Sequence, residues 1–439
     1  MKPGRILIAL IFGVGVIGAF VNGAPLFSRF IYSSILLTLT AFIWTRWVIR
    51  GLGVERVTRA HRANVGDIFE EQYKLTNDGR LPAAWVQITN ETDMPFAAGS
   101  RLFTLLQGKR FRNYTARTWL IRRGGFQLGP TRITTGDPFG LFTASKIFEP
   151  NGSLVVFPMI HKIESFPSPK GMLTGGQVIR KKSPDITPHS AGVREYVSGD
   201  AMKRIHWLTS VRRGKLMVKE FEQDPQAEVW LFFDALKKNH YQKTYKEQEV
   251  TFNDSLLRKR PKIELPPATL EYSVSVAASL VNYYLRQHRA VGYASAGQTY
   301  HVIPAERGER QEAKILETLA FVKADGSLSL AELIATQAAL LPQGSSVILI
   351  TPAVSIDLLH AVDELQRRFL SPLVVLLNAG TFAGPSGTTD LANSLRERRI
   401  PVVVLACGED ISLALSGMFT KTNFQEFHPW QTPESSPLI

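Results

Sequence analysis

The chain has 439 residues, of which 44% are hydrophobic and 20% charged, so its composition is that of a globular protein of roughly two to four domains and not of a disordered tail. A single cysteine excludes an intramolecular disulfide and a cysteine-based zinc site. Residues 1–260 hold 38 basic and 21 acidic side chains, whereas residues 261–439 hold 13 and 17. This asymmetry indicates an anionic neighbour for the basic part, such as a membrane surface, a nucleic acid or an acidic protein.

Two apolar stretches begin the chain. Residues 6–28 and residues 30–45 contain no charged side chain, and Asn22-Gly23-Ala24-Pro25 interrupts the apolar sequence with a turn signal. Each apolar run of about 20 residues is long enough to cross a bilayer. We therefore predict a transmembrane helical hairpin over residues 1–50. A cleaved signal peptide and a re-entrant hairpin are the alternatives.

Positive charges lie at the two ends of this hairpin. Lys2 and Arg5 precede it and Arg46 and Arg50 follow, whereas the connection between the helices holds only Arg29. The positive-inside rule then places both ends in the cytoplasm. The pattern predicts a multi-pass cell-membrane protein with two helices, membrane lipid around them and cytoplasmic soluble domains. The reversed orientation is the alternative.

Glycines in the first apolar stretch match a nucleotide-binding pattern. Residues 13–18 spell G-x-G-x-x-G, but a dinucleotide-binding loop follows a strand and opens a helix. Here the glycines lie in the middle of an apolar run. The pairs Ala9/Gly13 and Gly15/Ala19 have the small-xxx-small spacing that lets membrane helices approach closely. We therefore predict helix packing and not nucleotide binding.

Residues 51–160 have strand character without a convincing helical period. Residues 67–76 and 84–89 alternate apolar and polar side chains, and Asn77-Asp78-Gly79 between them is a turn signal. Short strands at this spacing predict a small β-sandwich. Residues 161–191 contain Pro, Gly and Ser but no periodicity, so we predict a linker there.

A different pattern runs through residues 192–425. Apolar runs such as residues 228–233 and 346–350 alternate with helical segments. Because continuous Val, Ile and Leu strands are buried on both faces, the alternation predicts an α/β domain with a doubly wound parallel sheet. Residues 237–268 are polar and indicate an exposed insertion. Residues 426–439 are a predicted tail.

The segment from residue 194 to residue 214 carries strong helix-end signals. Asp200 is placed to cap a helix that begins at Ala201, because its carboxylate can accept from the free backbone N–H groups. Gly214 is suited to the left-handed residue that ends such a helix. Apolar residues recur on one face of the predicted helix at Ile205, Leu208 and Val211.

We consider this segment as a structural signature or a partner-docking surface. Its basic and aromatic side chains could also contact nucleic acid, but we favour packing of Trp207 against the fold and pairing of the arginines with nearby carboxylates. The candidate residues are Arg194, Glu195, Tyr196, Gly199, Asp200, Arg204, Trp207, Arg212 and Gly214.

The order R-E-Y-x-x-G-D-x-x-x-R-I-H-W, followed by V-K-E, resembles the signature of the family called domain of unknown function 58. Residues 123–124, 128–130 and 137–141, which read R-G, L-G-P and D-P-F-G-L, resemble upstream parts of that family. So does the membrane hairpin. The resemblance implies a membrane-anchored protein whose C-terminal region is similar to a von Willebrand factor A domain. It also implies MoxR-type AAA+ ATPases and transglutaminase-like membrane proteins as associates.

The von Willebrand A fold usually offers a metal-ion-dependent adhesion site with D-x-S-x-S after its first strand. The corresponding aspartate here is Asp234, but Leu236 and Lys238 occupy the two serine positions. Thr351 follows a later strand where many such domains place an aspartate. Since oxygen ligands are what Mg²⁺ requires, we expect no metal or other cofactor and interpret Asp234 as a helix cap or loop anchor.

The sequence contains no motif that indicates catalysis. There is no H-E-x-x-H and no P-loop, and Ser295 does not lie in G-x-S-x-G. We interpret Cys407 as a small buried hydrophobic residue and His206 as a structural hydrogen-bond partner. The sequence therefore predicts a membrane-anchored, non-enzymatic scaffold or adaptor whose α/β domain docks a protein. A hydrolase of unknown substrate and a membrane-associated nucleic-acid binder are the alternatives.

Overall fold

The computed structural model describes residues 3–149, 152–167, 190–197, 202, 205–221, 228–246 and 263–417. They divide into two compact units. The first is built mainly from the chain up to Ile160 and the second mainly from the chain after it.

Two helices, α1 (Pro3–Asn22) and α2 (Pro25–Gly51), begin the first unit. Gly23 makes the turn between them with a φ of 58°, and Pro25 suits the first turn of α2, where its missing N–H would have no helical partner. Both helices are long and apolar enough to cross a membrane, and little of either apolar span is buried by protein. That exposure distinguishes them from the core helices of a soluble protein.

Two glycines of α1 bring its backbone close to α2. A Cβ atom on Gly15 would lie 3.2 Å from the Phe27 carbonyl oxygen, and one on Gly18 would lie 2.2 Å from the Phe27 ring. A Cβ atom on Gly13 would meet nothing within 4 Å. The packing prediction for this glycine pattern therefore holds for Gly15 and Gly18, whereas Gly13 lies away from α2.

The strands of the first unit begin directly where α2 ends. They are β1 (Leu52–Thr58), β2 (Arg62–Asn64), β3 (Ile68–Asn77), β4 (Ala83–Asn90), β5 (Arg101–Leu106), β6 (Arg110–Trp119), β7 (Gly124–Gln127), β8 (Thr131–Gly136), β9 (Thr143–Phe148) and β10 (Ser153–Phe157). They form sheets of order β1-β3-β6, β5-β4-β8-β9 and β2-β10-β7. Pairing is antiparallel except between β2 and β10.

The sheets β1-β3-β6 and β5-β4-β8-β9 share one hydrophobic core, and we call these two sheets the sandwich. Leu75 of β3 and Ile88 of β4 are completely buried in it. Val48 and Ile49 belong to the same core, so the last turns of α2 are packed between protein side chains. The alternation of burial along β3 explains why its sequence period is two.

A buried ion pair crosses the first of these sheets. Arg56 on β1 donates through Nε to Glu71 on β3 at 2.8 Å and through Nη1 to the Gly129 carbonyl at 3.0 Å. The side chains of Arg56 and Glu71 are 6% and 0% exposed. The Arg56 guanidinium also lies over the ring of Tyr73, 5.6 Å from its centroid, and that ring stacks on Tyr114 at 4.8 Å.

Burial dominates the ionisation of this cluster. Removal from water raises the pKa of Glu71, although the neighbouring Arg56 pulls that pKa in the other direction. Burial and the Glu71 carboxylate likewise raise the pKa of Tyr73 and of Tyr114. Tyr73 and Tyr114 belong to the core of the sandwich, and the Glu71 side chain is completely buried. The shifted pKa values therefore reflect a polar network inside the sandwich.

The second unit contains a separate antiparallel pair and a larger sheet. The pair is β11 (Ser190–Glu195) and β12 (Met217–Phe221), with helix α3 (Trp207–Arg213) between them. The sheet strands are β13 (Val229–Phe233), β14 (Val291–Ala296), β15 (Tyr300–Glu306), β16 (Ser346–Thr351), β17 (Ser371–Leu377) and β18 (Val402–Leu405). The remaining helices are α4 (Thr269–Arg286), α5 (Glu309–Phe321), α6 (Leu330–Gln337), α7 (Asp357–Arg367), α8 (Thr388–Glu397) and α9 (Ile411–Gly417).

The larger sheet has the order β15-β14-β13-β16-β17-β18. All pairs are parallel except β14 with β15 at the edge. In order of appearance this is 3-2-1-4-5-6, the order of a doubly wound sheet. Strands β13 and β16 are buried along their whole length, as their continuous apolar sequences predict. The described chain is therefore two apolar helices, a sheet-rich region and an α/β region.

The start of the predicted linker lies against helices of the second unit. The His161 backbone N–H donates to Ser279 Oγ on α4 at 2.8 Å, and Phe166 packs edge-on against Tyr284. In the predicted insertion, the Tyr241 N–H donates to Thr269 Oγ1 at 2.9 Å. Residues 168–189 and 247–262, and the predicted tail, lie outside the described residues.

Candidate functional site

The strand order changes direction between β13 and β16, and in open α/β sheets ligands bind outside the carboxyl ends of the strands at such a point. Asp234 follows β13 directly and is 1% exposed. Thr351, the last residue of β16, donates from Oγ1 to Asp234 Oδ2 at 2.6 Å. The structure thus brings together the two residues that the adhesion-site comparison singled out, and joins them by a direct hydrogen bond.

Asp234 organises the loop that follows it. Its Oδ1 accepts from the Leu236 N–H at 2.9 Å, and its Oδ2 accepts from Asn239 Nδ2 at 2.8 Å. His240 Nε2 lies 2.9 Å from the Asp234 carbonyl oxygen. Both carboxylate oxygens therefore have protein donors, as a loop anchor requires. Within the described ranges, no three His, Cys, Asp or Glu side chains are grouped as a metal ion would need.

We expect Asp234→Ala to lower the free energy of unfolding of the α/β unit by about 3 kcal/mol, because three donors to a buried carboxylate lose their acceptor. Chemical denaturation of the purified chain measures this. Asp363→Ala is the control, since the ion pair of Asp363 with Arg398 is exposed at the surface. Millimolar Mg²⁺ is expected to leave the melting temperature unchanged. A rise with Mg²⁺ that Asp234→Ala abolishes would contradict the loop-anchor interpretation.

The signature segment folds as the hairpin β11-β12 with a short helix beside it. Arg194 pairs in register with Val218, and Glu195 pairs with Met217. The Tyr196 N–H donates to the Leu216 carbonyl at 2.8 Å. Glu195 also receives a bond from Lys215 Nζ at 3.1 Å. Three of the candidate residues, Gly199, Asp200 and Arg204, lie outside the described residues.

Helix α3 begins later than its sequence predicts. Ile205 makes an isolated bridge to Val218 and is buried, so it is not part of a helix beginning at Ala201. His206 is the N-cap, and its Nδ1 accepts from the Thr209 N–H at 3.3 Å. Gly214 ends the helix in the left-handed conformation with a φ of 63°, as predicted.

The apolar side chains of α3 face outward, which contradicts the predicted packing. Trp207 is 65% exposed and Val211 is 80% exposed, and Leu208 is also exposed. The buried face is carried by Ser210, whose Oγ accepts from the Met217 N–H at 2.8 Å. Helix α3 has only seven residues and contacts β12 through polar groups of His206 and Ser210, so its apolar face stays outside the core. The spacing of Leu208 and Val211 was therefore wrongly interpreted as a core stripe.

Side chains that could carry chemistry have structural partners or lie in the interior. His206 Nδ1 lies 2.7 Å from Thr209 Oγ1. Ser295 is completely buried on β14. Cys407 is half-buried, not buried as predicted, because it follows the end of β18, and its N–H donates to Thr381 Oγ1 at 2.9 Å. None of these gives a nucleophile and a base within reach of one another.

Comparisons with known proteins match the signature segment. The model of a family described as "Protein of unknown function DUF58" matches residues 192–254. The uncharacterized protein YeaD of Bacillus subtilis (strain 168) is 25% identical over 210 residues, which are 47% of this chain and 45% of that protein. The chain therefore matches less than half the length of this relative.

Solved structures share only weak likeness with the chain. The CARDB domain of the PF1109 protein from Pyrococcus furiosus is 14% identical with a TM-score of 0.17, covering 24% of this chain and 91% of that one. A chain from a complex of zinc 2-glycoprotein and prolactin-inducible protein from human seminal plasma is 9% identical with a TM-score of 0.18, covering 24% and 92%. Likeness at this level bears on neither fold nor function.

Proposed function

We propose that this protein is a membrane-anchored, non-enzymatic scaffold that docks a protein partner through the exposed face of α3. In this proposal α1 and α2 cross the membrane, with both ends of the hairpin and the folded units on the cytoplasmic side. The observation that carries the docking role is the outward-facing apolar surface of Trp207, Leu208 and Val211, which we call the α3 face.

An apolar surface of this kind is costly to leave in water, and contiguous exposed apolar residues mark interaction sites. Tryptophan and arginine are the residues most often found at the energetic centre of interfaces. Arg212 and Arg213 are exposed in the last turn of the same helix. The surface is therefore suited to a partner that presents apolar side chains bordered by acidic ones.

The second part of the proposal is that the α/β region is a von Willebrand A-like domain without an adhesion metal. What supports it is the doubly wound sheet with Asp234 after its first strand. The hydrogen bond from Thr351 gives the Asp234 carboxylate a partner from within the protein, which also supports this part of the proposal. A domain without the metal would recognise its partner through a surface such as the α3 face.

We propose a MoxR-type AAA+ ATPase as the partner, which would be coupled to membrane-bound clients that include a transglutaminase-like membrane protein. This partner class rests on the resemblance of the signature segment, and the family match falls on the same segment. Hydrolase and nucleic-acid roles have no observation in their favour among the described residues.

The test is capture of the ATPase by full-length tagged protein crosslinked in native membranes, with and without ATP, followed by binding of the purified ATPase. We expect Val211→Asp to weaken binding about 30-fold, the effect of about 2 kcal/mol at an interface centre. Leu340→Asp is the matched control, because Leu340 is also an exposed apolar residue, at 74% against 80%. Equal binding by both variants, or no AAA+ ATPase in either condition, would refute the proposal.

A further inference from the structure

A cavity of about 580 Å³ lies where α1 and α2 meet the sandwich. The residues that line it run from Arg5 to Phe12 along α1 and from Ser34 to Phe42 along α2, and Leu141 and Phe142 close one end. Along α1 this covers about 10 Å of helix. The cavity is therefore a cleft between the two apolar helices that ends at the sandwich, within the size range of ligand sites.

The closed end of the cleft is rigid because of the D-P-F-G-L motif. The carboxylate of Asp137, which is buried, accepts from the backbone N–H groups of Phe139 at 2.9 Å, Leu141 at 3.1 Å and Phe142 at 2.5 Å. Gly140 has a φ of 72°, which the tight turn requires. One carboxylate thus holds the loop in a single conformation at the sandwich end of the helices.

Two arginines lie at that end. Arg5 donates from Nε to the Leu141 carbonyl at 2.5 Å and lies over the Phe142 ring, 5.3 Å from its centroid. Arg46 lies over the Phe42 ring at 5.7 Å, and the Phe42 and Phe142 rings contact each other edge to face at 5.6 Å. The two guanidinium groups therefore lie against one aromatic pair.

Neither arginine has an acidic partner among the described residues. The bond from Arg5 to Leu141 uses only Nε, which leaves both terminal Nη groups to donate to a ligand. Guanidinium groups bind phosphate in a bidentate manner. The rest of the cleft is apolar, with Ile8, Phe12 and Leu39 among its lining residues.

We propose that this cleft is a binding site for an anionic phospholipid. Arg5 and Arg46 hold its phosphate at the D-P-F-G-L loop, and one acyl chain lies between α1 and α2. A free phosphate would leave the apolar length of the cleft empty, whereas a lipid fills it with an acyl chain and brings the negative charge that the arginines lack. Phe139, which is 60% exposed on the same loop, then lies at the headgroup level, where aromatic rings are favoured.

This inference rests on the membrane anchoring proposed above and is independent of protein docking. The probe is the full-length protein in nanodiscs of phosphatidylglycerol mixed with phosphatidylcholine, with retained lipid counted by native mass spectrometry. We expect Arg46→Gln and Arg5→Gln each to lower the preference for phosphatidylglycerol about fivefold. Arg29→Gln, at the other end of the hairpin, is the control and should have no effect. Because Arg5 also holds the loop, Arg46→Gln is the decisive variant.

A second pair of variants tests the position of the acyl chain. Ile8→Trp fills the cleft and should remove the retained lipid, whereas Leu10→Trp lies two residues away on an exposed face outside the lining and should not. The proposal is overturned if Arg46→Gln behaves like Arg29→Gln, or if Ile8→Trp retains as much lipid as Leu10→Trp. Release of the wild-type protein from membranes by alkaline carbonate would instead overturn the anchoring, so the two failures can be told apart.

Discussion

Replacement of Arg56 by Met is expected to lower the free energy of unfolding by about 3–5 kcal/mol, because it leaves the Glu71 carboxyl buried without its partner. The substitution removes the donor to Glu71 and the donor to the Gly129 carbonyl together. It also removes the cation that lies over the Tyr73 ring. Thermal or chemical unfolding of the purified chain measures the loss.

The pH dependence of that loss identifies its cause. Burial raises the pKa of Glu71 in the folded protein, and without Arg56 only the long hydrogen bond from Tyr73 opposes that shift. The folded state then binds a proton more tightly than the unfolded chain, so its stability falls as the pH rises above the unfolded-state pKa. The deficit of Arg56→Met should therefore shrink by up to about 1.4 kcal/mol for each pH unit from pH 7 towards pH 5.

The partner substitution Glu71→Gln should behave differently. It leaves the Arg56 guanidinium buried, and this group cannot lose its proton in that range. Because position 71 then carries no titratable group, it should contribute no pH dependence to the free energy of unfolding of this variant. Arg117→Met is the matched control, because the ion pair of Arg117 with Glu70 is 42% and 46% exposed and such pairs contribute little. If the deficit of Arg56→Met is the same at pH 5 and pH 7, lost packing and not an unpaired carboxyl is the cause.

The second large effect is expected from Gly129→Ala. A Cβ atom at Gly129 would lie 1.7 Å from the Glu91 carbonyl oxygen, which is backbone and cannot rotate away. The Glu91 N–H also donates to the Pro130 carbonyl at 3.0 Å, so the two segments are held together. We expect a loss of at least about 3 kcal/mol, the upper range for overpacking. The purified protein should melt at a distinctly lower temperature.

A matched glycine separates this clash from a general effect of glycine substitution. Gly13→Ala on α1 adds the same methyl group where nothing lies within 4 Å, and alanine is the better helix former. The melting temperature of Gly13→Ala should equal or exceed that of the wild type. A Gly129→Ala protein as stable as Gly13→Ala would mean that the strands around Glu91 separate easily.

Elements with continuous or strictly periodic apolar sequences could be predicted, because the burial of apolar side chains alone decides their structure. All residues of strands β13 and β16 are buried, and their runs of Val, Ile, Leu and Phe indicate strands that are covered on both faces. The edge strand β15 was not predicted, because none of its residues is buried and the exposed His301, Pro304 and Glu306 interrupt its apolar sequence. Its pairing to β14 depends on long-range contacts that the local sequence does not contain.

The candidate sites show the same limit. The position of Asp234 at the end of a buried strand could be predicted. So could the absence of serine at positions 236 and 238, where Leu236 and Lys238 stand. The hydrogen bond from Thr351 could not, because it joins residues 117 positions apart. The exposure of Trp207 was mispredicted because helix α3 is too short to bury an apolar stripe and relies on Ser210. Only the tertiary contacts of β12 decide which face turns inward.

The way that α2 enters the sandwich has a mechanical consequence. The helix runs without interruption to Gly51, and β1 begins at Leu52. Val48 and Ile49 of the helix are packed in the core of the sandwich. No flexible linker separates α2 from the first strand, so the rotation of α2 about its own axis sets the orientation of the sandwich about that axis. One residue inserted between Trp44 and Val48 would turn the sandwich by about 100° and shift it by about 1.5 Å along the axis. In a protein anchored as proposed, this insertion changes which surfaces of the sandwich meet the lipid headgroups.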